Sequence, residues 1–366
     1  MPATPLLQEP DLPPITLRSP GDLVAITPYL LGFHPASSIV VLGFHRGRSV
    51  FALRGDLPGP QGQPTEVVAG DLIAMVVRQQ ATSVALIGYG PAHEVDPILQ
   101  ATRELAGQRR LDIMDVIRVD ANRWWSYLCE RPTCCPPEGT LIDLTTSEVA
   151  AHCTFAGLSA LPAREELVRQ VAPVEGLARV SMSQATDRAE ARLAEMLADL
   201  AEPDWAPRVS AEGTAAVTEA IRRYGDGGSF SDDEMAWLTL LLTSTQVRDH
   251  AWEAITTEEP HLRLWSDATR RVEPALVPAP ASLLAFAAWR RGDGTLAQIA
   301  LGRALQADPS YSMALLLQDG LVRGLPPSVF DGWGTPAWAE RLDREVRAHT
   351  RRRRRRGKSG GSRRRG

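Results

Sequence analysis

The residues best suited to acid–base chemistry lie where regular segments of the sequence end. His34 follows an apolar, helix-like run, and Asp56 and Asp120 each follow an apolar, strand-like run. A histidine titrates near neutral pH, and a neighbouring carboxylate can orient its ring, so these three residues are the candidate catalytic group. The alternative is structural: the segment around His34 ends a helix, and the imidazole hydrogen-bonds a buried loop carbonyl.

A glycine-containing loop is a candidate anion site. Gly88-Tyr89-Gly90-Pro91-Ala92-His93 follows a strand-like run and precedes a helix-like one, which is the setting of phosphate-binding loops. The candidate binding residues are Gly88, Gly90 and His93. Because His93 stands where a dinucleotide fingerprint has its third glycine, no dinucleotide cofactor is predicted, and an ordinary strand-to-helix turn is the alternative.

The four cysteines lie within 25 residues of one another and are accompanied by a histidine. Zinc prefers four Cys or His ligands, so the candidate metal set is Cys129, Cys134, Cys135, His152 and Cys153. Adjacent cysteines seldom bind one ion together, and no Cys-x2-Cys pair is present. The sequence therefore favours packed thiols without a metal, with a metal site or a redox thiol pair as the alternatives.

Lysine usage excludes several enzyme classes. Lys358 is the only lysine of the chain, and it lies in an arginine-rich terminal segment. The folded part therefore has no lysine for a P-loop, a kinase strand or a pyridoxal Schiff base. Taken with the missing dinucleotide fingerprint, this leaves no predicted cofactor.

The first half of the chain alternates between strand-like and helix-like segments. A helix is expected from Ser19 to Leu31, where Ser-Pro-Gly-Asp provides a cap and Gly32 a stop. The alternation predicts an α/β domain, a three-layer sandwich with a mostly parallel sheet. The expected strands are 38–44 and 49–54 as a hairpin, 84–88, 113–119 and 123–128, with helices at 66–80 and 94–108.

Strand direction predicts where a site would be. Strands 49–54, 84–88 and 113–119 should run the same way, and open α/β sheets bind ligands at the carboxyl ends of such strands. His34, Asp56, Gly88, Gly90 and Asp120 should gather at that edge. The cysteine loop should lie at the opposite edge.

From about residue 145 the chain has helical periodicity. Ser231 to Glu234 is a capping box that opens a helix. The segment 281–317 is similar to a tetratricopeptide repeat, with Leu284, Ala297, Leu301 and Pro309 at matching offsets. No second copy follows 34 residues away, so an ordinary helical hairpin is the alternative. An all-helical domain with a tetratricopeptide-like hairpin is predicted.

The expected domain organisation follows from these patterns. The predicted parts are a disordered leader 1–14, an α/β domain 15–160, a helical connector 161–206, a helical domain 207–326, a C-terminal segment 327–350 and a disordered Arg-rich tail 351–366.

Charge separates the tail from the rest. The whole 366-residue chain has a net charge of −4 and the last sixteen residues carry +10, which leaves −14 for residues 1–350. The tail is either a solvated extension, a segment that folds back on the acidic body, or a weak contact for RNA, DNA or another anionic surface. No apolar run is long enough to span a membrane and no export signal is visible, so a cytoplasmic location with reduced thiols is predicted.

Several motifs resemble one family. Residues 17–20, 28–35 and 38–41 (LRSP, PYLLGFHP and SIVV) and the segments WWSYLC at 124–129 and CCPPEG at 134–139 are similar to the actinobacterial domain of unknown function 4192. The segments VRD at 247–249 and ALQADP at 304–309 match it as well, so the resemblance covers about 15–325. It implies nothing about activity.

Two functions are open at this point. The first is a non-catalytic regulatory or scaffold protein whose helical domain binds a protein partner. The alternative is an enzyme that acts on a phosphorylated or nucleotide-like small molecule at the carboxyl edge of the sheet. We favour the first because the sequence contains no complete catalytic constellation.

Overall fold

A computed structural model describes residues 15–45, 48–58, 63–198 and 201–332. The chain divides into two compact units, an α/β unit that ends at Gln170 and includes Val322–Gly324, and a helical unit that begins at Val171. The predicted leader, the Arg-rich tail and most of the predicted C-terminal segment lie outside the described residues. The predicted connector 161–206 falls on both sides of the division.

The first helix begins and ends as its sequence predicts. Helix α1 spans Pro20–Leu31, and the Ser19 hydroxyl and the Asp22 carboxylate form a reciprocal capping box at its start. Gly32 ends the helix in the left-handed region, with φ of 80°, which glycine adopts without a steric cost.

The α/β unit contains a mixed sheet of six strands. Their order is β2-β1-β3-β4-β5-β6. The strands are β1 (Ser38–His45), β2 (Arg48–Asp56), β3 (Ser83–Tyr89), β4 (Asp112–Asp120), β5 (Arg123–Ser126) and β6 (Thr140–Leu141). The other helices of this unit are α2 (Thr65–Arg78), α3 (Ala92–Gln108), α4 (Glu148–Phe155) and α5 (Arg164–Gln170).

The prediction of a mostly parallel sheet was wrong. Only β3 and β4 pair in parallel, whereas the other four pairings are antiparallel. The reason is the hairpin at each side of the sheet: β1 turns back between β2 and β3, and β5 turns back after β4. Strands β2, β3 and β4 still run in the same direction, so their carboxyl ends share one edge as predicted.

Two helices cover one face of the sheet. Apolar side chains of α2 and α3, such as Leu72, Val76 and Ile98, form a buried cluster with alternate residues of the strands, including Ile39 and Leu86. This burial follows the strand period of two, which places every second residue on the same face.

In the described residues of the second unit, all the regular secondary structure is helical. Its helices are α6 (Gly176–Ala198), α7 (Glu202–Gly225), α8 (Asp232–Leu241), α9 (Thr245–Glu253), α10 (Glu259–Arg271), α11 (Pro278–Arg290), α12 (Gly294–Ala307) and α13 (Ser312–Val322). The capping box at Ser231 and Glu234 is confirmed. Helix α7 contains prolines at 203 and 207, which lie in its first turns, where proline is tolerated or disrupts few hydrogen bonds.

Helix α11 forms the centre of the helical unit. Every residue from Pro278 to Trp289 is buried, so the helix packs on all sides rather than along one stripe. It packs against α12, as the hairpin prediction requires. No helix within the described residues has the length and apolar character needed to cross a membrane.

Candidate ligand-binding site

The loop after α1 fixes the position of His34. Phe33 is buried and forms a bridge to Leu161, while the backbone N–H of His34 donates to the carbonyl of Leu161 at 2.9 Å. The backbone of Leu161 in turn donates to the carbonyl of Gly32 at 2.8 Å. These bonds hold the loop, so the exposed imidazole has a defined location at the sheet edge. Partial desolvation lowers its pKa, which favours the neutral ring at pH 7.

Tyr89 ends β3 on the face away from α3. A Cβ on Gly88 would lie 2.9 Å from the Cβ of Val95 in α3, so Gly88 faces that helix. Successive residues of a strand point to opposite faces, and Tyr89 therefore points away from α3. Its side chain lies beside Thr27 of α1 and is only 7% exposed.

The Tyr89 hydroxyl is buried without a hydrogen bond of ordinary geometry. Burial raises its pKa, and the nearby Thr27 hydroxyl acts in the opposite direction. Thr27 donates its own proton to the carbonyl of Leu23 at 2.6 Å. A buried hydroxyl without a partner is uncommon and calls for a bound molecule or a functional role.

The turn between β4 and β5 contributes Asn122. Asp120 pairs with Arg123 across a two-residue loop, and Ala121 and Asn122 both have positive φ, of 46° and 63°. This is the backbone of a type I′ hairpin turn, for which asparagine is favoured. The Asn122 carbonyl accepts a hydrogen bond from the backbone of Ile142 at 3.0 Å, which fixes the segment after β6 beside the turn.

The segment after β6 contributes a carboxylate. Asp143 accepts hydrogen bonds from the backbone and hydroxyl of Thr145, at 2.9 and 2.6 Å, and from the hydroxyl of Thr146 at 2.8 Å. These bonds lower the pKa of Asp143, so its side chain is ionised at neutral pH.

These parts surround one cleft at the carboxyl edge of β3 and β4. Its volume is about 440 Å³, within the range of small-molecule sites. The described residues that line it are Val24, Pro28, His34, Pro35, Tyr89, Val119, Asn122, Ile142, Asp143, Leu144 and Thr145. We call it the edge cleft. It has an apolar base, polar groups from four separate segments, and no arginine or lysine among those residues.

Ser38 is a second buried hydroxyl at this edge. It begins β1 and is the cross-strand neighbour of Tyr89. Its residue is fully buried, and its hydroxyl oxygen has no hydrogen-bond partner. Two adjacent strands therefore each have an unpaired buried hydroxyl at the same edge.

The structure places the three predicted catalytic residues differently. His34 lines the edge cleft, whereas the lining residues do not include Asp56 or Asp120. Asp56 ends β2 and forms an ion pair with Arg54 at 2.7 Å, and Asp120 lies 3.6 Å from Arg118. Neither carboxylate forms a hydrogen bond or ion pair with the imidazole of His34.

The glycine loop has a packing explanation. The 2.9 Å clearance at Gly88 lets β3 approach α3 closely, and the N–H of Gly90 donates to the carbonyl of Val119 at 2.8 Å. His93 is exposed on the first turn of α3, where its ring lies 3.7 Å from the carboxylate of Glu94. An acidic side chain at the helix start opposes an incoming anion, so the local charge does not favour a phosphate here.

Three of the predicted metal ligands form a cluster. The sulfur atoms of Cys129, Cys134 and Cys135 lie within 4.8 Å of one another. Hydrogen bonding from Cys134 lowers the pKa of Cys129, while burial and the neighbouring thiols raise the pKa of Cys135 to about 12. His152 and Cys153 are not part of the cluster: both lie on α4, His152 exposed and Cys153 buried.

A second cavity of about 760 Å³ lies against α3. Four of its polar side chains are paired, since Tyr127 donates to Asp96 at 2.5 Å and Gln100 donates to Glu104 at 3.0 Å. The edge cleft differs from it in having a buried hydroxyl, that of Tyr89, without a hydrogen bond of ordinary geometry.

Sequence reasoning located the edge but missed most of the cleft. Tyr89 lies inside the predicted glycine loop, in which the glycines on either side of it were the expected binding residues. Asn122 follows the predicted edge residue Asp120 by two positions, and its asparagine is a turn signal. Asp143 is farther along the chain, where the Asp-Leu-Thr-Thr run is also a turn signal.

The fold and site define a two-unit protein, a mixed α/β unit with a cleft at one sheet edge followed by a helical unit. A family model for "Domain of unknown function (DUF4192)" matches residues 20–328, so the chain belongs to that family. Comparison with curated proteins and with solved structures gives no match.

Proposed function

We propose that this protein is a non-catalytic regulatory protein whose α/β unit binds a small polar molecule in the edge cleft. The observation that carries the proposal is Tyr89, a cleft-lining residue whose buried hydroxyl lies near Thr27 but makes no hydrogen bond of ordinary geometry. A ligand atom that bonded this hydroxyl would remove a desolvation cost of about 1–3 kcal/mol.

The charge of the cleft indicates the class of ligand. Asp143 is ionised, His34 is neutral at pH 7, and the described lining residues contain no Arg or Lys. Asp143 would repel an anion, and no positive charge among these residues would offset that repulsion. A neutral molecule would not be repelled, and a cation would be attracted. This argues for an amine, an amino acid, a sugar or a nucleoside, and against a phosphorylated ligand.

The contacts of the carboxylates favour binding over catalysis. A histidine base works best when a carboxylate orients its ring, and the two predicted orienting residues, Asp56 and Asp120, pair with Arg54 and Arg118 instead. Enzymatic action on a small molecule in this cleft is the competing proposal, with His34 as its base.

Further parts of the proposal concern the whole chain. We infer a three-layer α/β unit, because α1 lies beside Tyr89 on the face opposite α3. A protein partner of the helical unit, a tetratricopeptide-like role for α11 and α12, and a cytoplasmic location belong to the same proposal. Contact of the Arg-rich tail with RNA, DNA or another anionic surface belongs to it too. Because α11 is buried on all sides, a partner would have to contact other helices of that unit.

The test is a thermal-shift screen of the intact protein. The compounds are amino acids, amines, sugars and nucleosides, with inorganic phosphate and nucleotides as the anionic set. We expect a hit from the first group that binds wild type and Tyr127→Phe alike but binds Tyr89→Phe about tenfold more weakly, which is about 1.4 kcal/mol. Tyr127 is the matched control because its hydroxyl is bonded to Asp96 at the second cavity.

Two outcomes would overturn the proposal. Hits confined to phosphate and nucleotides would contradict the charge argument, and hits that ignore the Tyr89 substitution would place the ligand elsewhere. Conversion of a hit into product, lost in His34→Asn but kept in His45→Asn at the far end of β1, would establish the enzyme instead.

A further inference from the structure

Three cysteine thiols meet in the loop that follows β5. The Sγ atoms of Cys129 and Cys134 are 2.9 Å apart, those of Cys134 and Cys135 are 3.7 Å apart, and all three lie within 4.8 Å of one another. Strand β5 begins beside the edge cleft at Arg123 and runs away from it to Ser126, which lies opposite Ile117 in the middle of β4, and the loop starts there.

A buried pair holds the first cysteine of this cluster. The backbone N–H of Cys129 donates to the Ser126 hydroxyl oxygen at 3.1 Å, and that hydroxyl donates to the carboxylate of Asp115 at 2.7 Å. Asp115 and Ser126 are both buried. The position of Cys129 is therefore set by the sheet and not only by its loop.

The other two cysteines are held by a turn. The backbone N–H groups of Cys134 and Cys135 both donate to the carbonyl of Arg131, at 3.1 and 2.9 Å. Further along, the indole N–H of Trp125 donates to the carbonyl of Pro137 at 3.0 Å. Thus the loop is fixed at both ends and in its middle, and it presents its three sulfur atoms together.

We propose that Cys129, Cys134 and Cys135 form a three-thiolate site for a thiophilic divalent metal ion of the zinc class. Thiolate sulfur is the ligand that such ions prefer. Zinc–sulfur bonds of about 2.3 Å place two ligand sulfurs of a tetrahedron about 3.8 Å apart, which the Cys134–Cys135 pair matches at 3.7 Å. Cys129 would move about 1 Å away from Cys134 to complete the set.

The fourth ligand comes from outside this loop. His152 and Cys153 do not belong to the cluster, and Cys153 is fully buried in α4. A site with three protein ligands leaves one position for water or another small ligand, as catalytic and exchange sites do and closed structural sites do not. Binding converts the thiols to thiolates and releases their protons to the solvent, up to three for each ion.

The experiment titrates Zn²⁺ into the intact, reduced protein without oxygen, against a chromophoric chelator. We expect one equivalent to bind, and each of Cys129→Ala, Cys134→Ala and Cys135→Ala to weaken the affinity at least 100-fold. Cys153→Ala and His152→Ala are the matched controls and should bind like wild type. Cd²⁺ gives an independent readout, because its thiolate charge-transfer absorption should fall by about one third with each substitution.

Circular dichroism of each variant without metal tests folding, so a lost site can be told from a lost fold. Substoichiometric binding by folded, reduced wild-type protein would overturn the proposal. It would also fail if Cys135→Ala bound Zn²⁺ as well as wild type. A protein that bound no Zn²⁺ when reduced, but formed a Cys129–Cys134 disulfide in air, would contradict it too. None of these results bears on ligand binding at the edge cleft.

Discussion

Two buried tyrosines show how differently the two units treat the same polar group. Tyr89 of the α/β unit and Tyr224 of the helical unit are 7% and 3% exposed. Tyr224 donates its hydroxyl to the Asp267 carboxylate, which Arg271 also contacts at 2.9 Å. Tyr89 has no such partner and lines a cleft.

The difference separates a structural role from a binding role. Around Tyr224 the network continues, because Arg271 also donates to Asp232 at 2.6 Å and to the carbonyl of Phe230 at 2.9 Å. Each group there satisfies another, and such a network fixes one packing arrangement. A buried hydroxyl left unpaired beside a cleft instead retains its bonding capacity for a ligand.

Removal of the central cation of the paired network should have the largest effect. In Arg271→Met, the carboxylates of Asp232 and Asp267 lose the cation that they share and keep only hydroxyl donors, although both remain partly exposed. We expect a loss of about 3 kcal/mol in the free energy of unfolding, measured by urea denaturation. Arg222→Met is the control, since its ion pairs are solvent-exposed, and it should leave the midpoint unchanged. Equal losses in both variants would show that the network is not special.

The tyrosine pair is tested directly by removing each hydroxyl. Tyr224→Phe should lose about 2 kcal/mol, because the hydrogen bond to a charged carboxylate disappears. Tyr89→Phe should lose nothing and gain up to about 1 kcal/mol, because an unpaired polar group leaves the interior. If urea denaturation showed a similar loss for both, Tyr89 would have a structural partner, and the binding proposal would lose its main support.

Local rules predicted the elements but not the sheet. The cap at Ser19, the stop at Gly32 and the hairpins came from short-range patterns, and the edge of β2, β3 and β4 followed from strand direction. The pairing of the strands did not follow from these patterns, because a hairpin at each side of the sheet leaves only β3 and β4 as a parallel pair. Such an arrangement depends on long-range contacts that periodicity does not report.

The cleft itself is only partly visible in the sequence. His34 could be predicted because a histidine at a helix stop stands out. Tyr89 could not be predicted, because it matters for the hydrogen bond that its hydroxyl lacks. That lack is visible only in the folded structure, in which α1 lies beside the Tyr89 side chain. Asn122 and Asp143 lie close together because the backbone N–H of Ile142 donates to the Asn122 carbonyl. The spacing of these residues in the sequence does not predict that hydrogen bond.

The glycine beside Tyr89 gives a smaller, purely steric test. Gly88→Ala would place a Cβ 2.9 Å from the Cβ of Val95 and 3.0 Å from Cδ1 of Leu99. We expect a loss of roughly 1–2 kcal/mol from overpacking, measured by thermal unfolding. Gly70→Ala in α2 is the control, since its Cβ would meet nothing within 4 Å and alanine favours helices. A loss in Gly88→Ala that appeared only with inorganic phosphate present would instead indicate an anion loop.

The smallest effect is a difference in pH dependence between the units. Burial raises the pKa of Asp115 in the α/β unit, whereas hydrogen bonds from Ser181 and Arg271 lower the pKa of Asp232 in the helical unit. A raised carboxyl pKa means that the folded state binds the proton more tightly, so ionisation costs stability above that pKa and the cost vanishes in acid. A lowered pKa has the opposite sign: its stabilisation is complete at neutral pH and is lost as the pH falls below about 4.

Asparagine variants isolate the two contributions, because each removes one titration. Relative to wild type, Asp115→Asn should be more stable at pH 7 than at pH 3.5, since only the ionised Asp115 is penalised. Asp232→Asn should be less stable than wild type at pH 7, with the deficit shrinking at pH 3.5. Unfolding midpoints at the two pH values measure both differences. If the midpoints of the two variants changed in the same direction with pH, the two carboxylates would have similar environments. The contrast between the paired charges of one unit and the open polar edge of the other would then not extend to these carboxylates.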